Sequence, residues 1–263
     1  MGIERSKFFK LCSLAPITSI LSLILLIGLR KVITTIPIFC WISAETFCKF
    51  AVAKVVLNMF PKAPILYTKA RNGTILGALL LLGASLYFGR IPVFLLLNHD
   101  GGPILDVFFK WVTWAAEGWM WIPYLIVLVG YFKKEVKIIL INFLLSTIIT
   151  QIPKNFIWDK VSRPTASGIP LSDMHTVKGV VMHSWNSFPS GHTATAFTLF
   201  LLTVYLFPNK WVFTLGLLYA ILCAYSRVYL GQHFPMDLGG GMLVAVCSLQ
   251  LSLMVSQRIS KKN

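Results

Sequence analysis

The chain has 263 residues, of which 56% are hydrophobic and only 13% charged, and its formal net charge is +15. An ordinary soluble domain is about one quarter charged, so this composition excludes a soluble enzyme and places most of the chain in a bilayer. The Lys and Arg residues stand beside apolar runs without aromatic interleaving, which excludes a nucleic-acid surface, and the five cysteines have neither CxxC spacing nor an even-numbered disulfide framework.

From the N-terminus, Leu11 to Leu29 is apolar enough to span, preceded by Arg5, Lys7 and Lys10 in the manner of a signal anchor. Val32 to Phe60 is broken by Glu45, Lys49 and Lys54 and fits either an amphipathic surface helix or a re-entrant hairpin. The pattern at Gly2 for acylation and that at Asn72-Gly73-Thr74 for glycosylation are short and read as accidents. Residues 1–72 therefore form a membrane-associated region with a possible extra span, and residues 73–263 the main membrane domain.

In that second region six runs have the length and composition of spans: Thr74 to about Leu97, Trp111 to Phe132, Val136 to Ile152, His192 to Phe207, Trp211 to Tyr225 and Leu238 to about Ser256. Arg90, inside the first, is expected to snorkel. Basic residues gather before the first span (Lys69, Arg71), between the second and third (Lys133, Lys134, Lys137), between the fourth and fifth (Lys210) and after the sixth. By the positive-inside rule these ends are cytoplasmic, which places Asp100 and Asp106, the segment 153–191 and residues 227–237 together on the outer face.

Three polar clusters fall on that face. Pro189-Ser190-Gly191-His192 opens the fourth span, so the amides of Ser190, Gly191 and His192 are candidate donors of a helix start and form an anion cradle. Ser226-Arg227, His233 and Asp237 lie between the fifth and sixth spans. Pro235 suits a first helical turn, and Asp237, four residues after His233, is placed to accept from its imidazole. Arg163-Pro164, with lysines nearby, supplies a third set of cations. Cations for non-bridging oxygens, amide donors and an imidazole held by a carboxylate are what phosphoryl transfer needs.

These clusters resemble the phosphatidic acid phosphatase type 2 superfamily, whose pattern is K-x6-R-P, then P-S-G-H, then S-R-x5-H-x3-D. The second and third match fully. In the first, the position seven residues before Arg163 is Phe156, flanked by Lys154 and Lys160. Lys154 is preferred, because it follows the third span and a two-residue insertion within 158–162 would restore it, and Lys160 is held in reserve.

The resemblance implies an all-α, polytopic fold, a six-helix core preceded by the apolar and amphipathic N-terminal region. It implies His233 as nucleophile, Asp237 as its orienting acid and His192 as general acid, with Lys154, Arg163, Ser190, Gly191 and Arg227 on the phosphate and neither metal nor cofactor. The substrates it admits are lipid A, undecaprenyl diphosphate, phosphatidylglycerol phosphate and phosphatidic acid. A bacterial inner-membrane enzyme facing the periplasm is the expected setting, with the bilayer and its phosphorylated lipids as partners. A phosphotransferase with the same site and a non-catalytic lipid-phosphate receptor or transporter are the alternatives, and product analysis distinguishes them. The segment 165–188 is long enough to carry specificity. Its His175 and His183, eight apart without a third ligand, fit a solvated or headgroup-contacting loop better than a metal site.

Overall fold

The computed structural model describes residues 63–260. The expectations for the Leu11 run, the Val32–Phe60 stretch and Gly2 lie outside the described residues. Those described fall in one compact unit over 58–263, and their regular elements are all helices, with no strand among them.

Helix α1 (Ile65–Tyr87) follows Pro64 and is 23 residues long, about 34 Å at 1.5 Å per residue and enough to cross a hydrocarbon core. It buries Tyr67, Ala70, Thr74, Ala78, Leu82 and Ser85 along one stripe and leaves Leu76, Leu79 and Leu80 exposed on the other. Such apolar exteriors suit lipid rather than water. The first expected span is not one rod. Gly89, at φ 91°, turns the chain so that α2 (Arg90–Leu97) leaves at 119° to α1. Arg90 therefore starts a helix instead of snorkelling along one: its Nη2 donates to Ser162 Oγ at 3.0 Å, and its guanidinium lies 4.8 Å from the Phe234 ring centre.

The second expected span is also broken. Helix α3 (Pro103–Trp114) and α4 (Trp121–Tyr131), joined by a 3₁₀ turn at Gly118–Met120, are bent by 54° where Glu117 and Gly118 interrupt the apolar run. Helix α5 (Val136–Ile152) has the expected bounds and continues into a π-helical turn, Pro153–Ile157, closed by Trp158 N–H donating to the Pro153 carbonyl at 2.8 Å.

Helix α6 (Gly191–Leu206) is only 16 residues long but buried on nearly every side, so it is the central helix, in contact with α1, α5, α7 and α8. Helix α7 (Lys210–Tyr229) opens on Asn209, whose Oδ1 accepts from Trp211 N–H at 2.8 Å. It extends four residues past the expected end at Tyr225, carrying Ser226 and Arg227 into its last turn.

Helix α8 (Pro235–Ser260) packs on α1, α5 and α6. Its run Gly239-Gly240-Gly241 permits this approach, since a Cβ on Gly239 would stand 2.9 Å from the Ala78 carbonyl oxygen and one on Gly241 2.6 Å from that of Ser190. Small residues at helix contacts are the usual device for close packing in a bilayer. Three helices are long and apolar enough to cross a membrane, or up to five if each bent pair counts as one. The chain is thus a multi-pass membrane protein.

Candidate active site

Consecutive long helices run in opposite directions, so the end of α5, the start of α6, the end of α7 and the start of α8 meet at one end of the bundle. Asp237 lies in the first turn of α8, as Pro235 at the helix start predicts. Its Oδ2 accepts from Phe234 N–H at 2.9 Å and from Ser187 Oγ at 2.5 Å, and stands 3.3 Å from His233 Nδ1. Both His233 and Asp237 are 1% exposed. A carboxylate against Nδ1 selects the tautomer protonated there and leaves the Nε2 lone pair free, and no described residue engages Nε2. Gly231, at φ 67°, makes the turn that aims His233 inward, and Gln232 and His233 donate their amides to the Arg227 carbonyl at 2.8 and 3.1 Å.

The P-S-G-H segment is tied to the same helix. Ser190 N–H donates to the Asp237 carbonyl at 3.0 Å, so this amide is not available to an anion as expected from the helix start. The Gly191 and His192 amides have no acceptor among the described residues and stay available as donors. Ser190 Oγ caps α6, accepting from Thr193 N–H at 3.4 Å and Thr193 Oγ1 at 3.0 Å, which leaves its own proton to donate.

Around His233 stand three cations. Arg163 is 7% exposed and held from behind, Nε donating to the Trp185 carbonyl at 2.9 Å and Nη1 to the Gln232 carbonyl at 3.2 Å. Arg227, at the end of α7, donates from Nη1 to Thr113 Oγ1 at 2.5 Å, while its buried Nε has no partner. Lys154 lies in the π turn, whose extra residue re-aims the chain after α5, and shares a cavity with Gly191 and His192. Lys160 is exposed on the surface. Burial, then Arg163, Arg227, Lys154 and His192 in that order, hold the His233 imidazole well below its ordinary titration range, so it is neutral near pH 7. Burial also lowers Arg163, opposed by Asp237, but a guanidinium remains charged.

That cavity, about 380 Å³, runs from Lys154, Gly191 and His192 down past Gln151, Thr150, Thr147 and Ser146 to Phe143 and Trp121, between α4, α5 and α6. Lys154 and His192 stand at its charged end, hydroxyl and amide side chains line its middle, and Phe143 and Trp121 close its apolar end, a shape that accepts a polar head with an apolar group behind it.

All eight expected site residues thus converge at one end of the bundle. Sequence reasoning missed Ser187, Thr113, Gln232, Arg90 and Glu117, which hold or face them. For Glu117 a signal existed: it is the lone charged residue between Trp111 and Phe132, and an ionisable group in such a run usually has a task. His175 also has partners from a distant segment, with Nε2 2.9 Å from Asp106 Oδ1 and Nδ1 3.7 Å from Asp100 Oδ1. Asp106 Oδ1 accepts in addition from Tyr229 Oη at 2.6 Å, so this cluster pins the long loop to α3 and α7. His183 is exposed, its carbonyl accepting from Thr165 Oγ1 at 2.8 Å.

Comparison with known proteins agrees with this geometry. The family model of the PAP2 superfamily matches residues 135–261, which include all eight expected site residues. The chain is 27% identical over 167 residues to an undecaprenyl-diphosphatase of Sulfolobus acidocaldarius, covering 59% of this chain and 72% of that protein. It is 34% identical over 166 residues to a lipid A 4'-phosphatase of Porphyromonas gingivalis, covering 59% and 67%. The crystal structure of Aquifex aeolicus LpxE superposes with a TM-score of 0.54 at 33% identity, covering 62% of this chain and 94% of that one. With the motifs, the helical core and these relatives in agreement, the chain belongs to the PAP2 superfamily.

Proposed function

We propose that this protein is a lipid phosphatase that hydrolyses a phosphate monoester or diphosphate on the outer face of the membrane through a phosphohistidine. The observation that carries the reading is His233, its Nδ1 against Asp237 and its Nε2 unengaged among Lys154, Arg163, Arg227 and His192. The Nε2 lone pair attacks phosphorus while Asp237 stabilises the positive charge developing on the ring. The bond from phosphorus to the lipid oxygen breaks, and His192 gives that oxygen its proton. His192 then takes a proton from water, whose oxygen attacks phosphorus, and the N–P bond breaks to release phosphate. The three cations, the Ser190 hydroxyl and the Gly191 amide neutralise the transferring oxygens, a task that fixed donors in a dry site do well without a metal ion.

The cavity between α4, α5 and α6 and the names of the relatives support lipid A or undecaprenyl diphosphate as substrate, and the basic ends opposite the site support an outward-facing, periplasmic orientation. The test is the purified protein in detergent with excess EDTA, offered lipid A, undecaprenyl diphosphate, phosphatidylglycerol phosphate and phosphatidic acid. Free phosphate should appear in step with dephosphorylated lipid, and His233→Ala should abolish both. Enzyme quenched in alkaline denaturant should carry base-stable, acid-labile label on histidine. Lipid product without free phosphate would mean a phosphotransferase, and label on aspartate would overturn the mechanism.

A further inference from the structure

Glu117 stands in the turn between α3 and α4, with its neighbours Ala116 and Gly118 lining the cavity that holds Lys154 and His192. Its Oε1 is 4.0 Å from His192 Nε2, with side-chain exposures of 40% and 24%. That Nε2 is itself buried and has no hydrogen-bond partner. A buried ring nitrogen left unpaired is uncommon enough to require a reason, and the nearest carboxylate supplies one.

We infer that Glu117 is a positioning residue for His192, accepting a proton-bearing Nε2 and so presenting Nδ1 to the lipid oxygen. This rests on the reading of His192 as the proton-transfer histidine. To act as acid, His192 carries a proton on both nitrogens. The charged and titratable groups facing it are Arg227 from the end of α7, Lys154 from the π turn after α5, Arg163 from the long loop, and His233 from the turn before α8. Three of these four are cations, and Glu117, whose charge also acts on Arg227, is the carboxylate 4.0 Å from the ring nitrogen and so the group placed to make an imidazolium tolerable there. Closing the gap from 4.0 Å to about 2.9 Å makes a charge-assisted hydrogen bond. The motion falls on a turn between bent helices rather than on a helix body. Once Nδ1 has given its proton to the leaving oxygen, Glu117 retains the proton on Nε2. The Nδ1 lone pair then faces the water that resolves the phosphohistidine, and one carboxylate serves both half-reactions by holding one tautomer.

The test compares the full-length protein with Glu117→Gln, which keeps shape and removes charge, and Glu117→Asp, which keeps charge. Histidine labelled at Cε1 is titrated by NMR in detergent, the His192 signal being assigned by its loss in His192→Asn. In Glu117→Gln the protonation midpoint of His192 should fall by about one pH unit, and Glu117→Asp should recover at least half of that. With a lipid substrate, Glu117→Gln should lower kcat about 10- to 100-fold with KM within about twofold, and should cost nothing more in a His192→Ala background. An unmoved midpoint, a change in KM alone, or an equal loss in the His192→Ala background would overturn the inference. Failure of the wild-type protein to release phosphate from any lipid would instead defeat the phosphatase reading, and the titration would still decide whether Glu117 and His192 are coupled.

Discussion

Lys154 and Lys160 stand two and four residues from the position the family pattern asks for, and the preference for Lys154 rests on an assumed insertion. Tertiary position supports it. Lys154 borders the cavity with Gly191 and His192, whereas Lys160 is exposed beyond it. A charge-assisted contact that strengthens as charge moves onto the transferring oxygens is worth about 2–4 kcal/mol in an enclosed site, so Lys154→Ala should lower kcat/KM about 30- to 1,000-fold. Lys160→Ala should change it little, because an exposed charge acts mainly through long-range attraction that salt screens. Arg163→Ala, measured beside them at equal expression, sets the scale of a true clamp residue. A larger loss from Lys160 than from Lys154 would reverse the assignment.

Between helices, the site depends on how closely α8 approaches α6. The Ser190 amide reaches the Asp237 carbonyl because Gly241 offers no side chain to hold the two backbones apart. Gly241→Ala would press a methyl group to 2.6 Å from the Ser190 carbonyl oxygen and 3.0 Å from Ala194 N, both backbone atoms with little freedom to yield. Overpacking of this kind costs about 1–3 kcal/mol, and relief by moving P-S-G-H away from α8 would also displace His192 from His233. The expected outcome is a lower midpoint of thermal unfolding in detergent together with lost turnover. Gly83→Ala is the control: no atom lies within 4 Å of its Cβ, and α1 should keep or gain stability. The same scale explains the two broken spans. An apolar count over residues 74–97 or 111–132 measures hydrophobicity, not direction, and only Gly89 and the Glu117-Gly118 pair betray the bends.

For the whole molecule, a neutral His233 ties stability to pH. Its folded titration point lies well below the ordinary value of 6.5, through burial and then Arg163, Arg227, Lys154 and His192. Below about pH 6.5 the unfolded chain takes up a proton that the folded protein refuses until lower pH. Stability from this group is therefore complete above that range and lost as pH falls, by about 1.4 kcal/mol per pH unit while the difference lasts. The thermal midpoint of substrate-free protein in detergent should decline from pH 7 to pH 5, and His233→Asn should flatten the decline. An unchanged slope in that variant would show that another group carries it. The amino-acid sequence by itself determined the helical membrane class, the bounds of α5, the placement of Pro235 and Asp237 in one helical turn, and the two intact motifs that disclose the family. These are local patterns, set by hydrophobic period, turn chemistry and spacing within a dozen residues. Only the tertiary structure placed Lys154, preferred from the sequence, in one cavity with Gly191 and His192, and showed that Arg90 turns to Ser162, that Ser187 supports Asp237, and that Glu117 faces His192. Those pairings join residues 37 to 75 positions apart through the packing of helices, and no periodicity along the chain records which helix will stand beside which.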